Sequence, residues 1–387
     1  MLLSLSSFFA SFIAVVLLTL VLLIFLRNDY LIKHLGLRCL SFLASLILIR
    51  GLLPIELLYF PFSLTRTIYS RTWLPFFRDM LLHPLLKTDS FSLTLAGILS
   101  CVWLAGSLVI LFHKLLGYRR CCRLTKLFPQ ISDPAVIRIF ENVQEDIFPG
   151  GKVSFRLVRC SRFPTPALWG VRHPVVLLPD IDYTEDELRC VFIHELLHYK
   201  LCHFLLKILL DLLTIVQWWN PVLIFFFLPA VHQIQELSTD AQLVRMTTQS
   251  QRSAYLSGLH KTLQYAKTKA RFPQNIHFGL LPNRKKALIF QRFNYIKAAP
   301  ARHNSILGVI LCFVLFMLSF TFVLETSYPV RMDEAGDEIY RSPAKGTFYI
   351  HNGDKYELYM DNQYVYTSAE VLDSFKDIPI YDNTKEE

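Results

Sequence analysis

The sequence predicts a mainly α-helical polytopic membrane protein that carries a soluble-looking segment and a small β tail. Composition is the first reason: of 387 residues 53% are hydrophobic and only 18% charged, with a mean hydropathy of +0.36. Soluble domains average nearer a quarter charged, so too few charges remain to cover a globular surface. Several apolar runs of spanning length are the second reason, and a capped helical pattern between two of them is the third. Together they exclude a plain cytosolic enzyme and any disordered or collagen-like chain.

A membrane-crossing helix needs about 20 mostly apolar residues. Residues 2–26 qualify, with no charge before Arg27. The run is too long for a cleavable signal and lacks its basic start, so it reads as an anchor. Residues 39–60 give a second span, interrupted by Arg50, Pro54 and Glu56. Residues 92–116 and 305–324 give a third and a last. The stretch 204–228 is as apolar but carries Asn220-Pro221 near its middle. The expected organisation is N-terminal transmembrane helices over 1–116 and a cytoplasm-facing domain with a membrane-embedded helical hairpin over 117–304. A last span over 305–325 and a short extracellular tail over 326–387 complete it.

Orientation follows the Lys/Arg bias of short flanks. Arg27, Lys33 and Arg38 follow the first span; Lys114, Arg119, Arg120, Arg123 and Lys126 follow the third. Arg284, Lys285, Lys286, Arg292, Lys297 and Arg302 precede the last. All three groups belong on the cytoplasmic face, although Arg66, Arg71, Arg78 and Lys87 then fall in an external loop. Residues 326–387 hold 6 basic and 13 acidic side chains, a net of −7, which leaves +16 on residues 1–325. This asymmetry is what the topology asks for, so the basic surplus needs no direct nucleic acid; anionic membrane lipid suffices. The eight cysteines avoid the tail and form no CxxC pair, which reads as reduced thiols without a thiolate metal site.

Within the soluble-looking segment, Pro134 to Val143 has helical spacing. Residues 153–158 and 175–178 read as short strands. Thr184 with Glu187 three residues later is a capping box, so a helix begins at 185. Along the tail, residues 346–366 alternate apolar and polar side chains around Asn352-Gly353, a two-residue hairpin signal.

The capped helix carries His194-Glu195-Leu196-Leu197-His198, an HExxH motif. Residues i and i+4 project from one helix face, so two imidazoles can meet one zinc ion. Glu195 can then reach a metal-bound water as general base. Two polar histidines on an ordinary amphipathic helix would show the same spacing. Zinc needs a third protein ligand, and His203, His232 and Glu236 are the candidates. His203 follows His198 by five residues without a glycine to turn the chain, so it is expected to face round the same helix away from the metal. If 204–228 crossed the membrane once, Glu236 would emerge on the far side from His194. If Trp218-Trp219-Asn220-Pro221 is a turn, one half-helix rises roughly 28 Å and the other descends roughly 23 Å, returning Glu236 to His198. Asp240, one turn further, could accept the second imidazole proton of a metal-bound histidine. His232, one turn before Glu236, could face a developing oxyanion.

The HELLH motif, the Trp-Trp-Asn-Pro break and Glu236-Leu-Ser-Thr-Asp240 together resemble the membrane metallopeptidases of the BlaR/MecR type, the β-lactam sensor-transducers. Pro166-Ala-Leu-Trp-Gly170 and Pro174-Val-Val-Leu-Leu-Pro179 resemble the segment before the zinc helix of that family, and the likeness covers roughly residues 90–325. It implies a gluzincin-like HExxH zinc metallopeptidase domain with His194, His198 and Glu236 as ligands of one zinc and Glu195 as base. It also implies a multi-pass protein of the cell membrane whose active site faces the cytoplasm. Self-cleavage and triggered loss of a DNA-binding repressor belong to the same resemblance. The partners implied are a protein substrate, either a cytoplasmic transcriptional repressor or the chain itself, membrane lipid, and a second copy in a homo-oligomer.

The family's external penicillin-binding domain, with an acylated serine in S-x-x-K, has no counterpart of that size in the roughly 60-residue tail. Ser342-Pro-Ala-Lys345 fits S-x-x-K only nominally. A signalling endopeptidase is the first functional expectation. A housekeeping membrane metallopeptidase and a non-catalytic, zinc-stapled scaffold are the alternatives. A substrate strand is expected to add at the edge near Pro174 to Pro179.

Overall fold

The computed structural model describes residues 5–53, 66–70, 76, 80–88, 91–150, 153–161, 163–269, 282–298, 305–320, 322–326, 347–352, 355–360, 363–368, 370–371 and 378–382. The chain divides into two compact units, residues 1–68 with 83–324, and residues 69–82 with 325–387.

The first unit opens with α1 (Leu5–Arg27), α2 (Asp29–Leu35) and α3 (Leu37–Leu52). Val15, Leu18 and Leu22 of α1 share a buried cluster with Leu40, Leu43 and Ile47 of α3. A short ladder, β1 (Pro84–Thr88) and β2 (Phe91–Thr94), leads into α4 (Leu95–Leu127), capped by Thr94 Oγ1 accepting from Gly97 N–H. Among the described residues, α1 and α4 are the two helices long and apolar enough to cross a membrane. The far end of the expected second span, residues 54–60, lies outside the described residues. The expected last span is helical only over α11 (Ile306–Leu318), 13 residues rising about 20 Å. The amides of Ser319 and Phe320 bond back three residues to Phe316 and Met317, a tight closing turn that ends the helix before Leu324.

The soluble-looking segment forms as its pattern suggests. Helix α5 (Pro134–Ile147) starts at Asp133, whose carboxylate accepts from Ala135 N–H. Strands β3 (Arg156–Arg159), β4 (Ala167–Trp169) and β5 (Val175–Leu178) form one sheet in the order β3-β5-β4. Four consecutive apolar residues in β5 are all buried, as a strand covered on both faces requires. The expected substrate edge at Pro174 to Pro179 is therefore the middle of the sheet, flanked by β3 on one side and β4 on the other. The open edge belongs to β4, which packs against the next helix, α6 (Glu185–Lys200).

Helix α6 is capped by the expected reciprocal pair, Thr184 N–H to Glu187 Oε2 at 2.8 Å and Glu187 N–H to Thr184 Oγ1 at 3.4 Å. Glu187 also receives Ser257 Oγ and Lys261 Nζ, which ties the start of α6 to a later helix. Leu188 through Leu197 are buried except Arg189, so α6 is the central rod of this unit.

Cys202, in the left-handed region at φ 56°, then turns the chain into α7 (His203–Val216). Residues 217–220 reverse it. Asn220 is fully buried; its Oδ1 accepts from the amides of Val222 and Leu223, and its Nδ2 donates to Gln217 Oε1. Pro221 has no amide proton to satisfy, which suits a first helical position. One π-helical turn (Leu223–Phe227) precedes α8 (Leu228–Met246), which runs back along α6. Helices α9 (Gln249–Lys269) and α10 (Pro282–Ala298) cover the remaining faces of α6 and α8.

The second unit contains β6 (Phe348–Asn352), β7 (Lys355–Met360), β8 (Gln363–Ser368) and β9 (Ile380–Asp382), in the order β8-β7-β6-β9. Three strands are the expected meander, and β9 adds in parallel to β6. Gly353 and Ser342-Pro-Ala-Lys345 lie outside the described residues.

The reversal at 217–220 is clamped to α4. Trp218 Nε1 donates to the Trp103 carbonyl at 3.2 Å, and Trp103 Nε1 donates to the Val216 carbonyl at 2.9 Å. A Cβ at Gly106 would run into the Trp218 indole at Cζ2 and Cε2. Gly106→Ala should therefore displace the indole and destabilise this unit by about 1–3 kcal/mol, as overpacking does. Thermal melting in detergent checks it. Gly117→Ala, where an added Cβ meets nothing within 4 Å, should melt no lower than the unaltered chain.

Candidate metal centre

The i, i+4 spacing on α6 places the two motif imidazoles side by side, with His194 Nε2 and His198 Nε2 3.1 Å apart. The reversal at Asn220 brings α8 back alongside them. Glu236 Oε2 lies 3.6 Å from His194 Nε2, and Glu236 Oε1 lies 3.7 Å from His198 Nε2. His194, His198 and Glu236 thus form a group whose ligand atoms all fall within 4.8 Å of one another. Two ligands at ~2.1 Å on a tetrahedral ion sit about 3.4 Å apart, close to the spacing of the two Nε2 atoms and of each from its nearer Glu236 oxygen. The donor set also fits. Each imidazole has its Nδ1 occupied, by Tyr255 for His194 and by His203 for His198, which leaves both Nε2 atoms facing one point.

Glu195 is buried beside this group. Burial raises its carboxyl pKa to about 7; His194 and Arg292 pull the other way, as does a hydrogen bond from the backbone of Leu168. That bond joins Glu195 to β4, the strand with the open edge. At His194 burial disfavours the imidazolium, but hydrogen bonds with Asp240 and Glu236 outweigh it and raise the pKa to about 9.

Asp240 is fully buried one turn after Glu236. Its Oδ1 lies 3.3 Å from His194 Nδ1, on the side its spacing predicts. Tyr255 Oη intervenes more closely, 2.9 Å from His194 Nδ1 and 3.0 Å from Asp240 Oδ1. His203 does not follow expectation. The left-handed residue at Cys202 breaks the helix without a glycine, and His203 Nδ1 returns to within 2.7 Å of His198 Nδ1. It stands behind that ring rather than among the group. His232 is exposed on α8 and is not brought into the group.

Two participants escaped the sequence reading. Arg292, grouped there with the basic flank that orients the last span, is buried. Its Nη1 lies 2.7 Å from Glu236 Oε2, its Nε 2.7 Å from Asp240 Oδ2, and its Nη2 2.9 Å from Asp240 Oδ1. Burial would raise the pKa of Asp240, but this guanidinium holds it below the usual carboxylate range. A signal existed: Arg292 falls in phase with Leu288 and Ile296, four residues to either side, inside an inward apolar stripe. Tyr255 had no such mark.

Residues 85–293, more than half of the chain, match the family described as BlaR1 peptidase M56. The regulatory protein BlaR1 of Bacillus licheniformis is 30% identical over 146 residues, which covers 37% of this chain. The matched segment spans only 24% of that relative's length. A chain that folds a histidine pair and a returning carboxylate together inside this matched segment belongs to the M56 peptidase family.

Proposed function

We propose that this chain is a multi-pass membrane zinc endopeptidase that cuts a protein, either itself or a cytoplasmic regulator, as a step in transmembrane signalling. The observation that carries this reading is the meeting of His194, His198 and Glu236, their ligand atoms within 4.8 Å of one another, beside a buried Glu195. In this reading the three are zinc ligands, Glu195 is the general base, and Asp240 supports the His194 ring. The basic flanks favour a site on the cytoplasmic side with the acidic tail outside.

Bound zinc would polarise the scissile carbonyl and lower the pKa of the attacking water. The protein's own groups do the rest. Glu195 takes the proton as water oxygen bonds to the carbonyl carbon. It returns that proton to the departing nitrogen as the C–N bond breaks, leaving a carboxylic acid and an amine; the acid's proton then passes to the amine, giving carboxylate and ammonium. A carboxyl that titrates near neutrality suits both halves of this exchange. The open edge of β4 can receive an extended substrate as an added strand, and the Leu168 contact puts that edge next to Glu195. A structural zinc site is usually closed by four protein ligands. Among the described residues this group contains three, which favours catalysis over a staple. That the similar Bacillus licheniformis protein is a regulatory protein supports a signalling role over housekeeping.

Two outcomes follow. Glu195→Gln should keep about one zinc per chain and slow cleavage by about 10²-fold or more. Fragment blotting of both proteins, with zinc measured on each, checks this, and identical fragment patterns would count against self-processing. His194→Ala and Glu236→Ala should each lose most of the zinc at equal protein yield, read by elemental analysis. Retention of zinc by both would remove the ligand assignment.

A further inference from the structure

Arg292 presents a fork of donors to two carboxylates on one face of α8. Nε and Nη2 grip both oxygens of Asp240, at 2.7 and 2.9 Å, while Nη1 takes Glu236 Oε2 at 2.7 Å. Oε1 of Glu236, 3.7 Å from His198 Nε2, is then the oxygen free of Arg292, while the gripped Oε2 stays 3.6 Å from His194 Nε2. A planar guanidinium can make these bonds at once; a lysine ammonium is a single point charge and cannot span them.

Tyr255 closes the other side. Its hydroxyl proton goes to Asp240 Oδ1 at 3.0 Å, and its oxygen accepts from Arg292 Nη2 at 2.9 Å. With its one proton committed, the hydroxyl can only accept from His194 Nδ1 at 2.9 Å. That requirement puts a proton on Nδ1, so the nitrogen a neutral ring offers to a metal is Nε2, which faces His198 Nε2, Glu236 and, at 3.5 Å, Arg292 Nη2. One hydrogen-bonded chain therefore sets both the tautomer of His194 and the free oxygen of Glu236.

We infer that Arg292 and Tyr255 are the positioning residues of the metal centre: they fix Glu236 as a one-oxygen donor and His194 as an Nε2 donor without touching the ion. This rests on the assignment of His194, His198 and Glu236 as ligands. A structural pair would merely hold α10 and α9 against α8. A positioning pair also sets metal affinity and ligand geometry, since loss of a group that orients a ligand typically weakens binding about 10–100-fold.

The test uses the full chain in detergent, as unaltered protein, Arg292→Lys, Tyr255→Phe and, as a ligand control, Glu236→Gln. Each is titrated with Zn²⁺ against a competing chelator and loaded with Co²⁺ for visible absorption, and each is melted with and without Zn²⁺. Arg292→Lys should bind Zn²⁺ about 10–100-fold more weakly, and Tyr255→Phe about 10-fold. Both should alter the cobalt spectrum and lose part of the zinc-dependent rise in melting temperature. Variants that melt cooperatively, bind Zn²⁺ within about threefold of the unaltered chain and keep its cobalt spectrum would overturn the inference. Should Arg292→Lys fail to melt cooperatively, Tyr255→Phe decides by the same criteria. An unaltered chain that takes up neither ion would instead overturn the ligand assignment, and the inference with it.

Discussion

The reversal of an apolar stretch makes everything else at this site possible. A carboxylate 38 residues after His198 can meet it only if the intervening chain turns back on itself. The turn is made by a buried asparagine that satisfies two amides on one side and a glutamine on the other, followed by a proline that leaves no amide unpaired. In an apolar setting each unpaired backbone group would be expensive, so this local hydrogen bonding is what permits a bend there. Interlocked indoles hold the bend to α4, and the second half-helix returns along α6.

That return carries a liability. It buries Glu236 and Asp240 one turn apart, close enough to repel each other. Two like charges in a site of low dielectric constant need a counter-charge, and α10 supplies it through Arg292. The same arginine that makes the carboxylates tolerable also decides which of their oxygens stay free. Stability and ligand geometry are in this way set by one side chain, and the buried carboxyl of Glu195 lies inside the same field.

Much of this was legible from residue patterns, and the failures share a cause. The capping box and HExxH fixed the start and the face of α6 because both are local. Asn-Pro inside an apolar run marked the reversal for the same reason; that reversal and the family resemblance singled out Glu236 from three candidates, and helical spacing then placed Asp240 one turn on. Arg292 was lost because its flank of lysines and arginines suggested solvent, and only tertiary packing distinguishes the one that points inward. Tyr255 and the sheet order β3-β5-β4 also depend on contacts between distant segments. His203 was misplaced because a non-glycine residue adopts a left-handed backbone at Cys202, which no propensity would favour. The short α11 ended early through a closing turn rather than through any change in hydropathy.

The π-helical turn over Leu223–Phe227 gives the segment a property that residue identity does not capture. Each residue added to or removed from a helix rotates all that follows by about 100°, and the π-turn accommodates one extra residue in its register. The angular phase of Glu236 is therefore counted from the bend, through five apolar side chains that take no part in the His-His-Glu group. Within that stretch one bulky apolar residue can stand for another, whereas a single insertion or deletion would swing the carboxylate out of reach. Its length is held more tightly than its composition.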